Sequence, residues 1–192
     1  MKNVTAVAFV AVLLCGLSVA DSRPASNGVA SMERKAKHVK DNGALPHPSH
    51  APTEFTENEV NAYMASGHMK LPVGVQSVRF QGLPGVVTAN ARVDFDQIRE
   101  GTSSFNPLLA VFSGTHDVVV VAHVHGSGGQ AFVHIDSVSL DGIEIPNIVL
   151  QLFVEEYLTP KYPDVGMDSR FELPNRIDTA VVGEHKLTLI QK

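Results

Sequence analysis

The chain has 192 residues, of which 44% are hydrophobic and 18% charged, a balance that excludes a disordered protein and suits one globular domain or at most two. Its formal charge is −5, unevenly spread: residues 53–192 carry nine Lys/Arg against seventeen Asp/Glu, a net of −8, while residues 21–52 carry a net of +2. An acidic domain lacks the basic face that phosphate contacts need, which excludes nucleic acid as a partner and leaves no charge-based grip on anionic headgroups.

Residues 1–20 read as a signal peptide. Lys2 supplies a positive start, Val4–Leu14 an apolar run too short to span a bilayer, and Ser18-Val19-Ala20 a small-x-small cleavage site. Cys15 also invites a lipid-attachment reading, but Leu14 stands where that signal needs a small residue, so simple cleavage is favoured. The mature chain would then start at Asp21, exported and without cysteine, and it would rely on core burial for stability.

Residues 21–52 read as a flexible linker, punctuated by Pro24, Pro46, Pro48 and Pro52; the apolar positions of MERKAKHVK are sparse for a packed helix. A single α+β domain is expected over 53–192. It opens with a capping box, Thr56 to Glu59, flanked by a Phe55/Val60 staple and closed by Gly67, which predicts a short helix over about 57–66.

Two strands follow. Val75–Gln81 alternates through Val78 and Phe80, and Val87, Ala89, Ala91, Val93 and Phe95 alternate with polar residues. A four-residue turn, Gly82–Gly85, would pair Phe80 with Val87 and Val78 with Ala89. Asn106–Phe112 is a small apolar connector.

The longest hairpin joins His116–His125 to Gln130–Leu140. An even loop places Val118, Val120, Ala122 and Val124 on one apolar face with Ala131, Val133 and Ile135; a one-residue slip would mix the faces. The other face holds Val119, Val121, His123, His125, Phe132, His134 and Asp136.

Pro146 then starts a helix running to Thr159. Val149, Leu150, Phe153, Val154, Tyr157 and Leu158 fill an arc of about 180°, and Ile148 and Leu152 widen it. A helix this apolar predicts a sheet that encloses it. Ile177–Val182 and His185–Ile190, joined at Gly183-Glu184, read as a closing hairpin. This order of elements predicts an α+β fold with a mostly antiparallel sheet.

Signals for chemistry are weak. His123, His125, His134 and Asp136 have spacing that could ligate zinc or copper, but a wet sheet face tolerates histidine equally well, and no metal is assigned. Gly126-Ser127-Gly128-Gly129 lacks the glycine two before the serine that a nucleophile elbow needs, and it joins two strands, so it reads as a turn. His47-Pro48-Ser49-His50 lies in the linker, and Asp94 and Asp96 read as solvated strand residues. No cofactor and no catalytic residue is expected.

The capped helix FTENEVNAYM, the amphipathic strands, the run VSLDGIEIPNIVLQLFVEEYL and the closing LPNRIDTAVVGEHKLTLIQ together resemble small exported bacterial proteins of the TULIP-like kind, including the YceB-like and LmeA-like groups. The resemblance covers about residues 53–192 and is one of element order and texture. It implies a strongly curved, mostly antiparallel sheet wrapped around the helix in the C-terminal half, with the short helix before it, enclosing an apolar groove. The chain departs from YceB-like lipoproteins in lacking a proper lipid-attachment signal.

The expected protein is therefore exported, periplasmic or secreted, and not an enzyme. It binds a lipid or other apolar small molecule, with transient membrane contact. Small sheet residues and the wide apolar arc favour a cavity lined by Val118, Val120, Ala122, Val133, Ile135, Val149, Phe153 and Tyr157. A structural or interaction protein with a solid core is the alternative, since small residues also permit close packing.

Overall fold

The computed structural model describes residues 27–100, 107 and 110–192. The signal-peptide reading, Cys15, residues 21–26 of the expected linker, and Asn106, Leu108 and Leu109 of the connector lie outside them. The described residues form an α+β fold: one open antiparallel sheet of nine strands and four helices. No helix among them is long and apolar enough to cross a membrane.

The expected linker is corrected over most of its length. Asn27–Gly43 is a helix, α1, that buries Val29, Met32, Ala36, Val39 and Asn42 along one stripe. Four apolar residues at spacings of three, four and three suffice because they seat on an existing core. The helix end is then pinned by buried amides. Asn42 donates to the Ser49 carbonyl at 2.9 Å and to Gln191 Oε1 at 2.8 Å, and Gln191 donates to the carbonyls of Val39 and Asn175 at 2.7 and 2.6 Å.

A short strand that the sequence did not suggest, β1 (Thr53–Thr56), leads into α2 (Glu57–Ala65). The capping box is present in both directions, Phe55 and Val60 are both buried, and Gly67 takes the left-handed conformation at φ 75°. Glu59, the carboxylate of that box, also accepts from Lys35 at 2.7 Å and Ser31 at 2.5 Å, tying α1 to α2.

The hairpin of β2 (Val75–Leu83) and β3 (Val86–Asp94) turns on two residues, Pro84-Gly85, instead of four. Phe80 therefore faces Ala89 and Val78 faces Ala91, a shift of two from the expected register that leaves every side chain on its expected face. The strand ends sooner than its alternation suggests. Asp94 caps α3 (Phe95–Arg99) by accepting from the amides of Asp96 and Gln97, which turns Phe95 into the core.

In the long hairpin, β4 (Thr115–Ser127) and β5 (Gln130–Leu140) turn on Gly128-Gly129, both at positive φ. The even loop and the all-aliphatic face hold: Ala122 faces Ile135 and Val124 faces Val133. Asp136 is an extra residue in β5, so the alternation reverses there and Val138 and Leu140 join the inward face opposite Val120 and Val118. Gly126 belongs to β4 and not to the turn. Strand β8 crosses it there, and a Cβ on Gly126 would lie 2.7 Å from that of Ala180.

After β6 (Ile143–Glu144) comes α4 (Asn147–Phe153), which widens into a π-turn over Val154–Leu158. Its buried stripe is Leu150, Phe153, Val154 and Tyr157; Ile148, an apolar patch beyond the main arc, is 70% exposed. Strands β7 (Asp168–Glu172), also not expected, and the hairpin β8 (Ile177–Gly183)–β9 (Lys186–Gln191) complete the sheet. Strand β7 pairs with β5, while β9 lies between β1 and β8.

Candidate ligand cavity

Cross-strand pairing places inward side chains in rows. One row runs Phe80, Ala89, Val120, Val138, and the next Val87, Ala122, Ile135. Residues this small in the middle of a sheet cannot reach far from it. The core is accordingly divided into three clusters. The first packs α1, α2 and the β8–β9 hairpin, and the second packs α3, α4 and the connector residue Phe112. The third is a small group around Ala122, Val124 and Val182.

Between them lies a cavity of about 290 Å³ whose wall draws on all three clusters. The sheet contributes Phe80 from β2, Val87–Val93 alternately from β3, Val118–Val124 alternately from β4, and Val133, Ile135 and Val138 from β5. Helix α4 and its π-turn contribute Leu150, Phe153, Val154 and Leu158. Several inward-facing residues, including Ala89, Ala91, Val120 and Ile135, remain half-buried because they border this space and not a packed neighbour.

One side of the wall is closed by aromatic rings. Phe112 lies 4.2 Å from Phe153 and 5.3 Å from Phe95, and Phe95 meets Phe153 edge-on at 5.5 Å. Arg99 donates to the Phe112 carbonyl at 3.1 Å and stands over the Tyr157 ring at 5.7 Å, which holds α3 and the connector against the helix. Beside α3 the wall reaches solvent: Val73 is 63% exposed and Lys161 is exposed, although both line the cavity. That opening is the mouth.

Of the eight residues singled out in the sequence, Val118, Val120, Ala122, Val133, Ile135 and Phe153 line the cavity. Val149 and Tyr157 do not. Val149 is half-buried against the second cluster, and Tyr157 lies behind Phe153, its ring 5.3 Å away. The sequence reading missed Phe112, whose connector has no periodicity, and Lys161, which follows the helix in a Pro-rich turn. It also left Val138 unplaced, since a bulge has no period-2 signature.

The outer face of the β4–β5 hairpin is occupied by pairs. His123 Nδ1 meets Asp136 at 2.7 Å, His134 Nδ1 meets Asp168 at 2.6 Å, and His125 stacks on Phe132 at 4.7 Å. Arg170 covers the other side of that ring at 4.5 Å. The Asp168 carboxylate raises the His134 pKa above its usual range. Among the described residues no group of three or more His, Cys, Asp or Glu is placed to hold a metal ion. Ser127 sits exposed on β4, paired with Gln130 beside the glycine turn, with no helix following it.

Comparison of the chain with family models, with curated proteins and with solved structures gave no match in any of the three.

Proposed function

We propose that the protein is a non-enzymatic carrier that binds lipid-like apolar ligands in this cavity, the sheet curving around the Asn147–Leu158 helix to form a groove of TULIP-like kind. The observation that carries the reading is a cavity of about 290 Å³ with an almost wholly aliphatic and aromatic wall. That volume lies near the lower bound of ligand sites and is roughly twice the ~150 Å³ that admits a benzene ring, so it has room for on the order of ten to twelve carbons. One acyl chain fits these dimensions and a pair does not. At about 0.8 kcal/mol per buried CH₂, ten carbons contribute on the order of 8 kcal/mol before the association cost, which points to micromolar or weaker binding.

The proposal includes export, on the reading of residues 1–20 as a cleaved leader, with transient membrane contact as the route by which a chain is taken up or released. A solid-core interaction protein is the less favoured reading, because a core of that kind would fill the space between its clusters.

Native mass spectrometry of gently purified protein is expected to show a co-purifying amphiphile. Ala122→Phe projects a ring into the cavity and is expected to lower uptake of a fluorescent acyl probe at least tenfold while circular dichroism stays unchanged. Undiminished uptake in a folded Ala122→Phe protein would place the ligand elsewhere, and absence of uptake by the wild type would end the carrier reading.

A further inference from the structure

We infer that the ligand is a single-chain amphiphile with an anionic head, its chain in the cavity and its head on the Lys161 ammonium at the mouth. The inference rests on the reading of the cavity as a ligand site and adds the chemistry of the head.

The wall has one polar pole. Among the described residues that line the cavity, Lys161 alone carries a charge. The other polar side chains of the wall are Tyr162, which adjoins it, and Ser169. The Ser169 hydroxyl is already committed to Gly166, donating to its carbonyl and accepting from its amide, both at 3.2 Å. The remaining side chains of the wall are apolar, the buried Phe95–Phe112–Phe153 rings among them. A ligand that matched this wall would be apolar along its length and would carry a hydrogen-bond acceptor or negative charge at one terminus.

Lys161 is also placed unlike an ordinary helix-end lysine. A cation just past a helix C-terminus usually serves the helix's own last carbonyls. Here the backbone amides of Lys161 and Tyr162 take the Leu158 carbonyl, at 3.0 and 2.7 Å. The ammonium instead reaches Ile98 O, 63 residues away, at 2.7 Å. Ile98 lines the cavity too, so this bond joins two sides of the mouth. Its acceptor is a neutral carbonyl, and the ammonium retains two further donors for a carboxylate, a stronger acceptor. The surrounding domain is acidic, so attraction is local to Lys161 and is screened by salt.

Competition against a fluorescent acyl probe tests this with three ligands of one chain length: decanoate, decanol and decylammonium. The wild type is expected to bind decanoate about fivefold tighter than decanol at low salt, and decylammonium weakest of the three. In Lys161→Gln the decanoate-to-decanol ratio should fall to near one, and Lys161→Arg should keep a preference for decanoate. If Lys161→Gln does not fold, the same ratio is read in the wild type at about 20 and 500 mM salt, where it should shrink. Equal binding of the three ligands, or a decanoate preference that survives both Lys161→Gln and high salt, overturns the head-group assignment and leaves the apolar cavity standing. Failure of all three to displace the probe from the wild type overturns the cavity reading, and this inference with it.

Discussion

Glu59 shows how one side chain joins two elements. Burial alone would raise its pKa, but hydrogen bonds from Lys35, Ser31 and the Thr56 amide outweigh that and bring it to about 2. A carboxylate whose pKa is lower in the folded state adds stability that is complete above its unfolded value of 4.5 and is lost as pH falls towards 2. Stability measured by urea unfolding should therefore drop by about 2–3 kcal/mol through that window, and Glu59→Gln should flatten the drop while lowering stability at neutral pH. Tyr157 presents the opposite case. Its hydroxyl is buried without a hydrogen-bond partner among the described residues, in a side chain that is 2% exposed. Removing an unsatisfied buried hydroxyl relieves a desolvation cost, so Tyr157→Phe should leave the midpoint unchanged or raise it by up to about 1 kcal/mol. The same substitution should leave ligand uptake intact, since Tyr157 lies behind the wall.

At the scale of elements, helix α1 is part of the domain and not a tether. Met32 is buried in the first core cluster, so Met32→Ala should cost about 2–4 kcal/mol by thermal or chemical unfolding, whereas an unpacked linker would tolerate it freely. Strand β2 illustrates how an edge is protected. The Asn61 side-chain amide donates to the Phe80 carbonyl and accepts from the Phe80 amide, both at 2.8 Å, as a neighbouring strand would. Opposite α2, His185 meets Glu57 at 2.8 Å, and His116 at the start of β4 meets Asp141 at 2.6 Å. These carboxylates raise both histidine pKa values above 6.5. A raised folded-state pKa contributes stability that is present below 6.5 and lost as pH rises through the folded value. NMR titration should find His116 protonated above its usual range in the wild type and returned towards 6.5 in Asp141→Asn.

For the whole molecule, the division of the core is the property that matters. A residue packed on all sides loses many contacts when shortened, while one that borders a cavity loses few. Leu189→Ala, inside the first cluster, should cost about 3–5 kcal/mol; Val120→Ala, on the cavity wall, should cost about 1 kcal/mol or less. Similar large losses at both sites would mean that the space between the clusters closes in solution. The sheet keeps the cavity open because β3 and β4 bring Ala89, Ala91 and Ala122 to its centre, and Phe80, Phe112 and Phe153 approach only from its margins.

The sequence by itself determined the features that depend on neighbouring residues: the capped helix, the amphipathic strands, the parity of the two central hairpins, and the aliphatic face that supplies six residues of the cavity wall. Each follows from a local rule, a cap three residues long or an alternation of two, so each is written within a few positions. Tertiary structure decided the rest. The stripe Val29, Met32, Ala36, Val39 is too thin to predict a packed helix until β9 supplies Gln191 to hold its end. Asp136 reverses the alternation of β5 because its partner strand has one residue fewer, which no single strand reveals. Phe112 closes the cavity and Lys161 stands at its mouth through contacts with residues far away in the chain. Those placements depend on where the chain returns in space, and that is set by packing and closure of the sheet, beyond the reach of any short pattern.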